Sequence, residues 1–254
     1  MKNQLIALVL LACTIIACQK DTTTTPNNNN TNPPANTALN HDIFDRLLQR
    51  HVDAVGDVHY ANFKTEIDSL EQYLDILKAN APETTWSANK EMAYWINLYN
   101  AFTIHEILKA YPVQSIMDLY NGAIWTTQTV TIGGTDYTLN QIEQDQLLTK
   151  FSEPRVHFAV NCAAASCPPL MNRAWTEQNI QQEYDNQARA FINNAAYNTV
   201  TLNALDVSKI FDWYAADFGG ANQIVSYFQQ YSTTTIDNNA TVQYKNYDWG
   251  LNEQ

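Results

Sequence analysis

The sequence predicts an α+β fold, with one helix-rich domain and a small, mainly antiparallel sheet. Helices are predicted from apolar residues spaced three and four apart, as in the segment 41–55, where they are Ile43, Phe44, Leu47, Leu48 and Val52. The sheet is predicted from short β-rich runs bounded by turn residues, most clearly at 126–139, where Gly133-Gly134 separates two such runs. The range 39–254 shows no internal repeat and is long enough for one sizeable core, so we expect a single domain there.

Further elements follow along the chain. The apolar spacing predicts helices at 63–77, 87–111, 176–193, 207–214 and 222–231, and a short helix that Asn140 would cap. Extended segments are predicted at 156–160, 199–202 and 242–244. We expect the sheet to combine the 126–139 hairpin with the strands at 156–160 and 199–202.

The predicted helix 87–111 differs from the others because it is apolar on nearly every side. We therefore expect it to be the central helix of the domain. If Glu106 marks a solvent-facing side, Asn97 and Asn100 lie on the buried side, where their amides must be hydrogen-bonded. Such amides would tie down the backbone of a neighbouring loop, or would brace a functional site.

The N-terminus has the pattern of a bacterial lipoprotein signal. Lys2 precedes an apolar run at 5–16 that is too short to span a bilayer, and the run ends in the lipobox-like Ile15-Ile16-Ala17-Cys18. We predict a signal peptide at 1–17, a lipid on Cys18 and a disordered Thr/Asn/Pro tether within 18–38. An ordinary signal peptide that contains a cysteine is the alternative. The predicted location is the bacterial cell envelope, with the membrane as partner, facing the periplasm or the cell surface.

Composition excludes some classes of partner. The formal net charge of −12 argues against binding to nucleic acid, whose phosphates would repel an acidic protein. A zinc site is not expected, because Cys162 and Cys167 have only His157 near them in sequence and structural zinc takes four ligands. We expect no cofactor.

The densest polar cluster lies in the segment 157–169. A cysteine nucleophile needs a base, which His157 could supply, and a group that orients the base, which could be Glu143, Asp145 or a buried amide. A regular strand at 156–160 would place Cys162 on the face opposite His157, which favours Cys167 as the nucleophile over Cys162. Asn161 and Ser166 each precede one of the two cysteines, and we predict that they bind a ligand or brace the site.

The same residues allow two other interpretations. In an oxidising compartment Cys162 and Cys167 could form a structural disulfide beside a core histidine. A thiol–disulfide exchange pair is the weaker alternative, because the spacing is not Cys-x-x-Cys and no βαβ pattern precedes it.

Six stretches of the chain resemble the DUF547 family, a family of unknown function found in bacterial exported proteins. The stretches occur in order over nearly the whole predicted domain, at 56–60, 93–101, 142–143, 155–162, 166–170 and 247–252. The resemblance implies a single domain and supplies no settled activity. A papain-like or transglutaminase-like thiol fold is consistent with the Cys, His and acidic residues, by analogy of fold alone.

Two functions follow as expectations. One is a thiol-dependent hydrolase or acyl transferase of the cell envelope, acting on a peptide or on another amide or ester through His157 with Cys167 or Cys162. The other is a non-catalytic envelope binding module with a structural Cys162–Cys167 disulfide.

Overall fold

The structure is a computed structural model that describes residues 38–254. Helices make up about half of it. The predicted signal peptide, Cys18 and nearly all of the tether lie outside the described residues. The α-helices are α1 Asp42–His51, α2 Tyr60–Phe63, α3 Ile67–Ala79, α4 Ala88–Ala110, α5 Ile124–Thr127, α6 Leu139–Gln141, α7 Ile180–Ile192, α8 Ile210–Trp213 and α9 Ile224–Tyr231. Short 3-10 helices occupy Lys64–Glu66, Ile116–Gly122, Pro154–Phe158 and Ala221–Gln223, and a π-helix, Ile142–Thr149, continues α6. Within 38–254, no helix has both the length and the hydropathy to cross a membrane.

The strands form two small sheets, and the predicted α+β class is confirmed. Strands β1 Thr129–Ile132 and β2 Thr135–Thr138 make the predicted antiparallel hairpin through Gly133 and Gly134. The second sheet has the order β3 Thr199–Val200, β4 Ala204–Val207, β5 Thr241–Tyr244; β3 pairs antiparallel and β5 parallel to β4. The expectation of one shared sheet was wrong, and β4 overlaps the start of the helix predicted at 207–214.

The predicted strand 156–160 was also wrong. The chain forms the 3-10 helix Pro154–Phe158 there, with proline in its first turn and the Glu153 side chain accepting a hydrogen bond from Arg155 N. A short apolar run cannot by itself distinguish a strand from a helical turn that is buried on several sides. Among residues 38–254, Val156 is buried in the larger of two hydrophobic cores and Phe158 in the smaller one.

Helix α4 forms the centre of the larger core, as predicted. Its N-cap is Ser87, whose hydroxyl accepts a hydrogen bond from Lys90 N at 3.2 Å. Asn97 is fully buried and bonds both backbone groups of Trp175, from Nδ2 to the carbonyl at 2.7 Å and from the Trp175 amide to Oδ1 at 3.0 Å. The predicted burial of the asparagines and their bonds to loop backbone are confirmed.

Glu106 does not mark a solvent-facing side of α4, contrary to the prediction. Its side chain is 2 % exposed and is surrounded by partners: Lys109 Nζ at 2.8 Å, the Tyr120 hydroxyl at 2.8 Å and His105 Nδ1 at 3.3 Å. Burial acts to raise the pKa of Glu106, but these three partners outweigh burial and lower the pKa to about 2. The helix is therefore buried on all sides around its middle.

Removing the Asn100 amide should be costly. Its Nδ2 donates to the Ala159 carbonyl at 2.9 Å, and its Oδ1 accepts from Asn161 N at 2.8 Å. In Asn100→Ala two buried backbone groups lose their partners, so we expect the free energy of unfolding to fall by about 2–4 kcal/mol in urea denaturation. Asn89→Ala, which removes a surface hydrogen bond with Gln181 from the same helix, should cost less than about 0.5 kcal/mol. Equal losses in the two variants would contradict this reading of Asn100.

Glu106 should contribute to stability in a pH-dependent way. Its pKa in the folded protein is below the unfolded value, so its contribution is complete above pH 4.5 and is lost as the pH falls towards about 2. Glu106→Gln should therefore flatten the decrease in Tm between those pH values, whereas Asp75→Asn, in a partly exposed pair with Lys78, should leave the decrease unchanged. Thermal melts over this pH range test it, and an unaltered profile for Glu106→Gln would count against it.

Candidate active site

A cavity of about 330 Å³ brings together the predicted chemical residues. It is lined by residues in or next to α4, α5, α6, the π-helix, the 3-10 helix Pro154–Phe158, the cysteine loop 161–170, α8 and the C-terminal segment 247–252. The lining residues are Tyr99, Trp125, Asn140, Glu143, His157, Val160, Cys162, Cys167, Pro168, Ile210, Trp213, Tyr214, Tyr247 and Trp249. All four predicted catalytic residues, Glu143, His157, Cys162 and Cys167, are thus in one site.

The two cysteines are free thiols in contact with each other. The backbone N–H of Cys162 donates to Cys167 Sγ at 3.0 Å, and the Cys162 thiol lies 3.2 Å from the Tyr247 hydroxyl. Hydrogen bonding to Cys167 lowers the pKa of Cys162, and hydrogen bonding to Tyr247 lowers it by a smaller amount. Burial acts in the opposite direction but does not outweigh them. Burial raises the pKa of Cys167, which is 7 % exposed. The pKa directions therefore favour the thiolate on Cys162 over the thiolate on Cys167.

The premise that favoured Cys167 therefore does not hold. Strand parity placed Cys162 away from His157, but residues 154–158 form a 3-10 helix rather than a strand. Ala163 then has a left-handed backbone, with φ of +62°, which turns the chain sharply after Cys162. Both thiols line the cavity, and Cys162 is the more exposed of the two.

The cysteine loop is held by predicted bracing residues. The Asn161 side chain donates to the Pro168 carbonyl at 2.9 Å and accepts from Ala163 N at 2.8 Å, which closes the loop on itself. The Ser166 hydroxyl accepts from Asp248 N at 2.8 Å and joins the loop to the C-terminal segment. These contacts are to backbone groups, and Asn97 and Asn100 likewise act on backbone outside the cavity lining.

A glycine allows the loop to pack closely on the neighbouring chain. A Cβ at Gly56 would lie 2.5 Å from Pro169 Cβ and 2.8 Å from Leu170 N, and its φ of +92° favours glycine independently. The first of the family-like stretches in the sequence therefore supports the loop that carries the thiols.

Glu143 comes from the π-helix that follows α6. Thr138, not the predicted Asn140, caps α6, because the Thr138 hydroxyl accepts from Gln141 N and Gln141 reaches back to Thr138 N. Glu143 is 7 % exposed, and burial raises its pKa despite the charge of His157 and the hydroxyls of Tyr214 and Tyr99, which lower it. Asp145, the alternative acid, is exposed and does not line the cavity.

His157 lies between two carboxylates. Its Nε2 is 2.8 Å from Asp217 Oδ2, its Nδ1 is 3.9 Å from Glu143 Oε1, and its ring packs on Tyr214 with centroids 4.1 Å apart. Both ring nitrogens thus face acids rather than a thiol. Asp217 was not anticipated, because it lies 60 positions away and only the adjacent Gly219-Gly220 turn marks that region of the sequence.

Four aromatic residues form a rim around the cavity, which we call the aromatic rim: Trp125, Trp213, Tyr247 and Trp249. Ring centroids are 4.5 Å apart for Tyr247 and Trp249, 4.9 Å for Trp213 and Tyr247, and 5.8 Å for Trp125 and Trp249. In the sequence, two of the four, Tyr247 and Trp249, lie in the 247–252 stretch of the family resemblance.

Comparison with known proteins supports the family resemblance and adds no activity. Residues 84–192 match the family model described as "Protein of unknown function, DUF547", a match that covers less than half of the 254 residues. The segment includes α4, Glu143, His157 and both cysteines. No curated protein and no solved structure matches the chain.

The two thiols should react at different rates. We expect iodoacetamide to alkylate Cys162 first, with a pH midpoint below that of an ordinary thiol at about 8.5, because Cys167 stabilises its thiolate. Cys167→Ala should shift the midpoint of Cys162 alkylation to higher pH. Peptide mass spectrometry after timed labelling measures both. Faster labelling of Cys167, or an unchanged midpoint in Cys167→Ala, would contradict the assignment.

Proposed function

We propose that the protein is a thiol-dependent hydrolase or acyl transferase with Cys162 as its nucleophile. The observation that carries the proposal is the Cys162 thiol, whose pKa is lowered by the Cys167 hydrogen bond, in a cavity that also contains the Glu143 carboxyl group. Cysteine nucleophiles require a stabilised thiolate, a cavity that admits a substrate and a group that moves protons. Cys162, the cavity and Glu143 correspond to these three requirements and support the proposal.

The proposed reaction is acyl transfer through a thioester. The Cys162 thiolate attacks the carbonyl carbon of an ester or amide, a C–S bond forms, and the bond to the leaving oxygen or nitrogen breaks as that atom takes a proton. Water, or an acceptor hydroxyl or amine, then attacks the thioester and gives up a proton, which releases the acyl group and restores the thiol.

Glu143 is the proposed proton donor and acceptor. Burial raises its pKa, so it holds a proton more readily than an ordinary glutamate, and it lines the cavity with Cys162. His157 is proposed as a positioning residue, because its two nitrogens face Asp217 and Glu143. A direct role of His157 as the base for a thiol remains the alternative from the sequence.

The predicted setting extends the proposal. A lipid on Cys18 would hold the domain at a bacterial envelope membrane, where a peptide or another amide or ester of the envelope would be the substrate. The setting rests on the lipobox-like sequence alone.

A non-catalytic binding module is the second candidate function. The aromatic rim favours it, because aromatic side chains around a concave site bind small molecules without any covalent step. The cysteines are free in the structure, so this candidate stands without the disulfide that the sequence suggested.

Turnover of an activated ester distinguishes the two. We expect hydrolysis of p-nitrophenyl acetate with an acetylated Cys162 detectable by mass spectrometry, and loss of both in Cys162→Ala. Glu143→Gln should lower the rate of turnover about 10²–10⁴-fold, because it removes the group that takes the proton from the water that attacks the thioester, whereas p-nitrophenolate leaves without a proton. Asp145→Asn is the matched control, since it neutralises an exposed carboxylate on the same π-helix and should leave the rate unchanged. Hydrolysis that survives Cys162→Ala, or acetylation without turnover, would contradict the enzyme proposal.

A further inference from the structure

The aromatic rim combines π-faces with negative charge. Trp213 and Trp249 are nearly parallel, with an interplanar angle of 26° and centroids 5.8 Å apart, and Tyr247 lies against both. The Tyr247 hydroxyl is 3.2 Å from the Cys162 sulfur, so Tyr247 connects the aromatic rim to the thiol. A substrate whose carbonyl reaches Cys162 would place its neighbouring group next to Tyr247, within the same cavity as the other three rings.

The groups at the cavity that can carry a negative charge outnumber those that can carry a positive charge. Glu143 and Cys162 both line it and can hold one negative charge between them, and Asp217 lies behind His157. Within the part of the chain that the structure describes, none of the lining residues is lysine or arginine. Two acidic side chains, Glu143 and Asp217, flank the imidazole of His157. An anionic substrate would meet repulsion here that a cation would not.

We propose that the cavity selects a substrate that carries an ammonium group next to its ester or amide carbonyl. That this ligand reacts at Cys162 rests on the proposed function. That it binds rests on the aromatic rim and the carboxyl group of Glu143. Aromatic faces attract ammonium ions, most strongly when the cation is removed from water, and a nearby carboxylate adds to the attraction. The cavity of about 330 Å³ suits a small cationic group.

Trp213 is the best residue at which to test the π-face. It is 47 % exposed, so its replacement does not open a cavity in either core. Trp213→Leu keeps apolar bulk and removes the aromatic ring, whereas Trp213→Phe keeps a ring. A site for a neutral sugar or an uncharged apolar group would distinguish poorly between an ammonium compound and its carbon analogue. Charge is therefore the property of the ligand to vary.

The experiment compares choline with 3,3-dimethylbutan-1-ol, its uncharged analogue, in binding to the Cys162→Ala variant by ligand-observed NMR titration. We expect choline to bind about tenfold more tightly than the alcohol, since only the cation gains attraction from the aromatic faces. Trp213→Leu should weaken choline binding about fivefold, and Trp213→Phe should weaken it less than about twofold. In the protein with Cys162 intact, choline should slow the alkylation of Cys162 by iodoacetamide.

Four results would overturn the inference: no choline binding, equal binding of the two compounds, equal affinities in Trp213→Leu and Trp213→Phe, or binding that leaves Cys162 alkylation unchanged. The last would place the ligand elsewhere on the protein. Because the titration uses a variant without the nucleophile, it is independent of turnover. Choline binding without ester hydrolysis would support the cation site and contradict the enzyme proposal. Ester hydrolysis without choline binding would support the enzyme proposal and contradict the cation site.

Discussion

The hydrogen bonds between Asn100 and the backbone on either side of Val160 fix the position of Val160, which lines the cavity. The side chain donates to the Ala159 carbonyl and accepts from Asn161 N, and it is 2 % exposed. An aspartate could accept but not donate, and an alanine could do neither, so the position requires an amide. Asn161 continues the constraint through the Pro168 carbonyl and Ala163 N, and the positions of both thiols follow.

The site is assembled from parts of two cores. The 3-10 helix Pro154–Phe158 joins them, since Val156 packs in the larger core and Phe158 in the smaller, and His157 between them faces the cavity. Asp217 and Trp213 come from the region of the smaller core, while Glu143 extends from a helix packed in the larger one. The chemical groups therefore meet only when the two cores are docked on each other, which links the integrity of the fold to the geometry of the site.

The sequence predicted elements whose pattern is local and missed those set by distant contacts. The hairpin followed from its Gly133-Gly134 turn, and the central helix followed from its apolar surface and the Ser87 cap. The strand at 156–160 failed because an apolar run buried on several sides has no diagnostic period. Glu106 was misplaced because its burial depends on partners that include Tyr120, in a separate segment. The sequence named four residues that the structure places in one cavity, whereas the contacts of His157 with Asp217 and of Cys162 with Tyr247 join positions that no local spacing connects.

The two acidic groups of the cavity constrain each other's charge. The carboxylate of Glu143 acts to raise the pKa of Cys162, just as burial raises that of Glu143 itself, so two negative charges in this space are disfavoured. The Cys167 and Tyr247 hydrogen bonds favour the anion on sulfur, and burial favours the proton on Glu143, so both effects act in the direction of a thiolate beside a protonated carboxyl group. A thiolate beside a protonated carboxyl is the state that acyl transfer needs, with a nucleophile for the carbonyl and a proton for the leaving atom. An ammonium group in the rim would stabilise that thiolate further, so substrate binding and activation of the nucleophile would reinforce each other.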